Sequence, residues 1–140
     1  SPALPDGIET QICELVEKIE MGDSVLISSF EHFFFSRIHR WYRNQGKSTL
    51  PKVAPLQEAP LSEELALSLC SRQSAYSFHP DENFVTPSLI ETLKADGFRI
   101  FPYTINKEKR IEQLIQWGVT GIISDEPELV WKVIRKLGVD

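Results

Sequence analysis

The sequence is poor in cysteine, and this scarcity restricts the sites it can build. Cys13 and Cys70 are the two cysteines among 140 residues. Each lies in a stretch whose apolar residues recur at helical spacing, so we predict two buried free thiols rather than a disulfide or a metal-binding pair. A reducing, cytoplasmic compartment is the corresponding expectation.

Positive charge and long apolar runs are also lacking. The net charge of −5 disfavours binding to nucleic acid or to an anionic membrane surface. No apolar run approaches the roughly 18–20 residues that cross a bilayer. We predict no nucleic-acid partner and no membrane span. One alternative stays open, because basic and aromatic residues alternate over 37–47 and such a face is able to bind phosphate esters or nucleic acid.

The common phosphate and metal motifs are absent. The sequence contains neither GxGxxG nor GxxxxGK[ST], no HExxH, and no cysteine and histidine set with zinc spacing. The chain also opens on residues 1–5 without methionine or a strand, which predicts a cut end of a longer α/β domain. At 140 residues it is short of the roughly 200–250 of a closed (β/α)₈ barrel.

The order of elements is a repeated helix, glycine and strand. Apolar spacing predicts a first helix over 8–19 with Gly22 as its left-handed C-cap. A continuous apolar run then predicts a strand over 25–30 buried on both faces. A helix over 34–46, a strand over 52–56, a helix capped by Ser62 and a strand over 75–78 follow.

The last third has the clearest signals. Thr86 and Pro87 start a helix that Gly97 ends, and a strand over 99–104 follows. Asn106 is predicted to cap the next helix, which ends at Gly118. A strand over 121–124 and a helix capped by Asp125 complete six helices and four or five strands. Alternating helices and strands imply parallel pairing, in which chemistry lies at the carboxyl ends of the strands.

At these strand ends the sequence resembles the glycerophosphodiester phosphodiesterase family. Phe101-Pro102-Tyr103-Thr104-Ile105-Asn106 is similar to the family's aromatic-Thr-Val-Asn strand end, and Gly118 to Pro127 is similar to its closing Gly-Val-x-Gly-Ile-Ile-[ST]-Asp-x-Pro motif. Val25 to Phe30 resembles its mid-barrel Ser-Phe strand. The resemblance implies that residues 1–140 are a partial domain, the C-terminal part of a parallel (β/α)₈ TIM-type barrel.

The resemblance also implies a chemistry. Members hydrolyse glycerophosphodiesters to sn-glycerol 3-phosphate and an alcohol, in lipid and glycerol metabolism, with a divalent cation (Mg²⁺ or Ca²⁺). Their histidine pair and carboxylate ligands belong to motifs of the N-terminal half. Those motifs have no match here, since the single His39-Arg40 lies mid-helix. No catalytic and no metal-binding residue is predicted, and the chain alone is expected to bind no cation and to be inactive.

Secondary roles remain for four residues. By the resemblance, Tyr103 lines the pocket for the glycerol or alcohol moiety, Ser29 and Phe30 form part of the pocket floor, and His79 contacts substrate. Tyr103 as an ordinary rim aromatic and His79 as an exposed loop histidine are the open alternatives. Ser28 and Ser29 have no base beside them in sequence, so a nucleophilic serine is not predicted.

A second, non-catalytic function remains an alternative to the hypothesis that the chain is part of an enzyme. A half barrel leaves two parallel sheet edges and an unclosed apolar interior, and both favour association. The chain is therefore also expected to self-associate, or to complement an N-terminal half-barrel partner, as a non-catalytic protein.

Overall fold

The computed structural model describes residues 7–47 and 49–139, so the predicted cut end at residues 1–5 lies outside the described residues. Within them the chain forms six α-helices and four strands. The helices are α1 Ile8–Lys18, α2 Phe33–Asn44, α3 Glu63–Arg72, α4 Pro87–Ala95, α5 Glu108–Gln116 and α6 Pro127–Leu137. The strands are β1 Leu26–Ser29, β2 Lys52–Gln57, β3 Ser77–Pro80 and β4 Arg99–Ile100.

The four strands form one parallel sheet in the order β1-β2-β3-β4. Leu26 lies opposite Lys52, and Leu56 lies opposite His79. Chain order equals spatial order and a helix joins each strand to the next, which is the connectivity of a barrel segment. The predicted parallel α/β architecture is confirmed.

Strand β1 is more exposed than its sequence predicts. The apolar run over 25–30 predicts burial on both faces, whereas β1 alternates between exposed and half-buried residues and Leu26 is 39% exposed. Within the described residues β1 pairs with β2 alone, so its other edge has no neighbour to cover it.

The strands predicted over 99–104 and 121–124 lie where expected, but neither is a regular strand over its whole length. The strand predicted over 99–104 is regular only as β4, with an isolated bridge from Asp81 to Tyr103 beyond it, because Pro102 has no N–H to donate to the ladder. The segment over 121–124 is no regular strand. It still runs beside β4, since Ile123 N–H donates to Pro102 O at 3.0 Å and Ile105 N–H donates to Ile123 O at 3.0 Å.

Gly121 is placed by packing rather than by an unusual backbone angle. A Cβ atom added there would lie 2.6 Å from Cε1 of Phe101, well inside van der Waals contact. The Phe101 ring also meets the His79 ring edge to face, with centroids 5.6 Å apart. The aromatic ring thus fills the space beside the last segment of the sheet.

Helix α1 ends differently from the prediction. The left-handed residue is Glu20 with φ of 55°, and Gly22 lies in a short 3₁₀ turn over 22–24. Met21 N–H donates to Val16 O at 3.3 Å, which is the six-to-one bond of a Schellman motif with Glu20 in the left-handed position. The helix therefore stops two residues earlier than Gly22 as its C-cap would require.

Two apolar clusters hold the helices on the sheet. The larger packs α3 to α6 against β3 and β4, and its fully buried members include Phe78, Ile90, Leu93, Ile100, Ile111, Leu114 and Val133. The smaller packs α1 and α2 against β2 and is built on Cys13, Phe34, Phe35, Ile38, Tyr42 and Val53. Cys13 and Cys70 are both buried and free, as predicted.

The two ends of the sheet retain exposed apolar side chains. Leu15 on α1 is 57% exposed, and Ile19, the C-cap residue of that helix, is 49% exposed. At the opposite end, Ile123 and Val139 are exposed beside a groove lined by apolar residues of α5, α6 and the last segment. Within the described residues, no helix combines the length and hydropathy that crossing a membrane requires.

Truncation of the larger cluster should be costly. Leu93 on α4 is fully buried, so Leu93→Ala is expected to lower the free energy of unfolding by about 2–5 kcal/mol. Urea unfolding followed by circular dichroism measures this. Leu65 on α3 is 55% exposed and provides the matched control, for which Leu65→Ala should change stability by less than about 0.5 kcal/mol. Equal effects of the two variants would contradict the assigned core.

Candidate functional site at the carboxyl ends of the strands

His79 lies inside strand β3, with 5% of its surface exposed. Its Nε2 atom is 2.9 Å from Ser77 Oγ and its Nδ1 atom is 3.1 Å from Ser28 Oγ. Both ring nitrogens therefore have protein partners. The interpretation of His79 as an exposed loop histidine is wrong, because the strand runs two residues further than predicted and carries the side chain into the concave side of the sheet.

The partners of Ser28 fix the proton on His79. Ser28 Oγ donates its hydrogen to the backbone carbonyl of Ala54 at 3.1 Å. A hydroxyl has one hydrogen, so Ser28 must accept from Nδ1–H of His79, and Nε2 must accept from the hydroxyl of Ser77. The result is a directed chain from Ser77 through His79 and Ser28 to Ala54, which links β3, β1 and β2. In this geometry the imidazole donates to Ser28 and does not act as its base.

Phe30 and Tyr103 form an aromatic wall where strands β1 and β4 lead into their loops. Their ring centroids lie 6.2 Å apart and their planes meet at 79°, an edge-to-face contact. Tyr103 donates its hydroxyl to Gln57 O at 3.3 Å. Phe30 is 40% exposed and Tyr103 is partly exposed. Two of the four predicted substrate-binding residues therefore contact each other at an accessible surface.

Ser29 serves the loop that follows β1. Its Oγ atom accepts the backbone N–H of Glu31 at 3.0 Å, which closes a short turn around Phe30. Ser29 is half-buried. Ser29 thus shapes the turn that carries Phe30, while a direct contact with substrate stays a prediction for all four residues.

Asn106 and Asp125 hold two loops together and do not cap helices. Helix α5 has Lys107 at its N-cap and α6 has Glu126, and neither makes a side-chain cap bond. Instead the amide oxygen of Asn106 accepts from Ser124 Oγ at 3.0 Å and from Asp125 N–H at 2.9 Å, and its Nδ2 donates to Asp125 Oδ2 at 3.1 Å. The predicted caps were wrong because the two side chains satisfy each other across the loops. The caps at Ser62 and Thr86 are confirmed.

The residues described do not fit a divalent cation. Over 7–47 and 49–139, no three histidine, cysteine, aspartate or glutamate side chains are grouped as a metal ion requires. Asp81, a carboxylate that influences Tyr103, already accepts from the backbone and side chain of Asn83 through Oδ1. No step is therefore assigned to a cation on this chain.

A cavity lies at the other end of the strands. It measures about 480 Å³ and is lined by residues that include Glu17, Asp23 and Lys47. Lys47 Nζ pairs with Glu17 Oε2 at 3.2 Å, and Arg37 pairs with Glu9 at 3.3 Å. Two members of the basic cluster over 37–47 are thus already matched by carboxylates, although nucleic-acid binding itself stays untested.

Three contributors to this region were not found from sequence. His32 donates to Leu56 O at 2.9 Å, Gln57 supplies the carbonyl that Tyr103 binds, and Ser77 completes the His79 chain. Two of these bonds end on backbone carbonyls, which carry no residue signature. The pair Ser77 and His79 was detectable in principle, because alternate residues of a strand share one face.

The strands form a parallel sheet in chain order, and a helix joins each strand to the next. Polar and aromatic residues lie at the carboxyl ends of the strands. This is the arrangement of part of a TIM-type α/β barrel. Comparison with known proteins agrees. The model of the glycerophosphoryl diester phosphodiesterase family matches residues 5–129, so the chain belongs to that family.

Relatives show how much of the family domain is represented. A glycerophosphodiester phosphodiesterase of Caldanaerobacter subterraneus subsp. tengcongensis is 31% identical over 132 residues, which are 94% of this chain and 51% of that protein. One from Bacillus subtilis is 25% identical over 140 residues, covering 95% of this chain and 46% of its own length. The chain spans about half the length of the curated relatives it matches.

Solved structures share the fold. A glycerophosphodiester phosphodiesterase from Parabacteroides distasonis superposes with a TM-score of 0.78 at 17% identity, over 99% of this chain and 56% of that one. An Oleispira antarctica phosphodiesterase in complex with the product sn-glycerol-3-phosphate gives 0.71 at 18% identity, over 94% and 52%. The TIM-barrel assignment is confirmed.

Acid should weaken the fold through His79. Burial lowers the pKa of His79 to about 4, from 6.5. Between these values the unfolded chain binds the proton that the folded chain excludes, so stability is full at pH 7 and falls as the pH drops from about 6.5 to 4, by up to about 3 kcal/mol. Urea unfolding at pH 7 and pH 4.5 measures the difference.

His39 is the residue for comparison, because its pKa is also lowered, first by burial and then by the positive charge of Arg43. His79→Gln should flatten the pH dependence between 6.5 and 4.5, and His39→Gln should remove a separate share. An unchanged slope in His79→Gln would contradict a buried neutral imidazole.

Proposed function

We propose that this chain is the C-terminal half of a barrel that hydrolyses glycerophosphodiesters to sn-glycerol 3-phosphate and an alcohol. Family membership and coverage of about half of each relative support this. The observation that carries it is the Phe30 and Tyr103 wall, which stands at the carboxyl ends of the strands where barrel enzymes bind substrate.

The wall suits the carbon skeleton of the substrate. The Tyr103 hydroxyl is already bonded to Gln57 O, so the residue presents ring surface to a ligand. Ring surface packs well against the CH groups of glycerol or of the alcohol. Burial raises the pKa of Tyr103, and the nearby carboxylates of Asp81 and Glu58 raise it further. These carboxylates place negative charge on this side of the pocket, which disfavours the phosphate there.

The phosphate and the reacting groups are assigned to the other half of the barrel. There a Mg²⁺ or Ca²⁺ ion, implied by the family resemblance, would supply positive charge for the phosphodiester, and a histidine pair would supply the acid and base groups. On the present chain both nitrogens of His79 are bonded. The chain alone is therefore proposed to be inactive, with a small-molecule glycerophosphodiester as the partner of the closed barrel.

Complementation tests the enzyme proposal. The isolated chain should give no EDTA-sensitive turnover of glycerophosphocholine, and mixing it with the separately produced N-terminal half of the Caldanaerobacter relative should restore turnover. In that complex Tyr103→Ala should raise KM about tenfold through the lost ring contact, while Leu65→Ala on the outer surface should not. Metal-dependent turnover by the isolated chain would contradict the assignment of the chemistry to the other half.

A second candidate is a non-catalytic half barrel that self-associates or binds a separate N-terminal half. The observation that favours it is the pair of exposed apolar edges, with Leu15, Ile19 and Leu26 at one end and Ile123 and Val139 at the other. A head-to-tail pair of copies would cover both edges of each copy.

Association is measurable by sedimentation. At high concentration the chain should sediment above its monomer mass of 16.0 kDa, and Leu26→Lys at the β1 edge should shift it toward monomer by placing a charge in the interface. The control is Leu65→Lys, away from both edges, which should leave the mass unchanged. A clean monomer at high concentration would exclude self-association.

Cytoplasmic residence is also proposed. The two buried free thiols, Cys13 and Cys70, support it, since burial raises the pKa of Cys70 to about 12 and that of Cys13 to about 11, which keeps both protonated and unreactive.

A further inference from the structure

His32 occupies the loop between β1 and α2, at the same end of the sheet as the aromatic wall. It is half-buried and stands at the N-cap of α2. Its Nε2 atom is 2.9 Å from Leu56 O. A carbonyl only accepts hydrogen bonds, so Nε2 carries the hydrogen and donates it. This donor is present in both the neutral and the protonated ring, so the bond does not depend on the charge of His32.

The His32 ring is held from a second side. It stacks on the ring of Phe35 with centroids 6.4 Å apart and planes 12° apart. Phe35 is fully buried in the cluster that joins α1 and α2 to the sheet. A ring stacked on a fixed neighbour and bonded at its far nitrogen has little freedom to rotate.

The loop around His32 is closed by two hydrogen bonds, one to a side chain and one within the backbone. Ser29 Oγ accepts from Glu31 N–H at 3.0 Å before His32, and Phe35 N–H donates to His32 O at 3.2 Å after it. Phe30 stands inside this closed loop. A displacement of His32 therefore moves the backbone that carries the Phe30 ring.

The other half of the wall is held by the next carbonyl of the same strand. Gln57 O accepts from the Tyr103 hydroxyl at 3.3 Å and from Asp81 N–H at 2.8 Å. Consecutive carbonyls at the end of β2 thus hold the two sides of the wall, Leu56 through His32 on the Phe30 side and Gln57 on the Tyr103 side. Their spacing is set by one peptide unit.

We propose that His32 is a positioning residue: by bonding to Leu56 O it fixes the β1–α2 loop and thereby sets the edge-to-face contact of Phe30 with Tyr103. Its importance for substrate rests on the proposed function, in which this wall packs against the glycerol or alcohol moiety. The geometric claim is independent of that function and is tested without activity.

The test uses the full 140-residue chain and two substitutions. His32→Phe keeps a ring to stack on Phe35 and removes the donor, whereas His32→Gln keeps an N–H donor of similar reach. Nuclear Overhauser effects between the Phe30 and Tyr103 ring protons report the wall, and circular dichroism reports the fold. His32→Phe should lose at least half of the cross-peak intensity, and His32→Gln should retain most of it.

Two outcomes would overturn the proposal: unchanged cross-peaks in His32→Phe, or equal losses in both variants. If His32→Phe does not fold, a measurement on the wild-type chain tests the bond from His32 to Leu56 O. Nitrogen-15 spectra should show Nε2–H of His32 protected from exchange at both pH 6 and pH 8, and an unprotected Nε2–H would refute the bond. A failed complementation assay with an intact wall would instead count against the proposed function.

Discussion

The hydrogen-bond chain from Ser77 through His79 and Ser28 to Ala54 O is the constraint on which the concave side of the sheet depends. It joins three strands with one buried imidazole, and each member is satisfied only if the others keep their orientation. Ser77 and His79 are buried, and leaving one such buried group unpaired costs about 1–3 kcal/mol. Within the described sheet, β1 has β2 as its single neighbour. The hydrogen bonds from Ser77 to Ala54 therefore also help to hold β1, the strand that leads into Phe30.

Local signals in the sequence predicted the elements well. Gly97 and Gly118 end their helices in the left-handed region, and Thr86 caps α4, because these effects depend on few neighbouring atoms. Burial was predicted less well. An apolar run such as 25–30 indicates a strand covered on both faces, but whether both faces are covered is decided by residues distant in the sequence.

The candidate site was predictable only where side chains act alone. Phe30 and Tyr103 were identified by motif, and the structure brings them together. His79 was misplaced because β3 lies two residues later in the sequence than predicted. Asn106 and Asp125 were misassigned because a cap-forming side chain accepts any suitable donor within reach. The carbonyls of Leu56 and Gln57 organise the mouth of the pocket, and a backbone atom leaves no trace in the identity of its residue.

The contact between Gly121 and Phe101 has a consequence for the alignment of the last segment. A slip of one residue along β4 would place Thr120 or Ile122 against the aromatic ring, where even a single Cβ has no room. Gly121 therefore fixes the register of this segment, since an alignment shifted by one residue would place a side chain against the Phe101 ring. Any polypeptide that pairs with this edge meets a segment whose offset is already fixed by the Phe101 ring beside it.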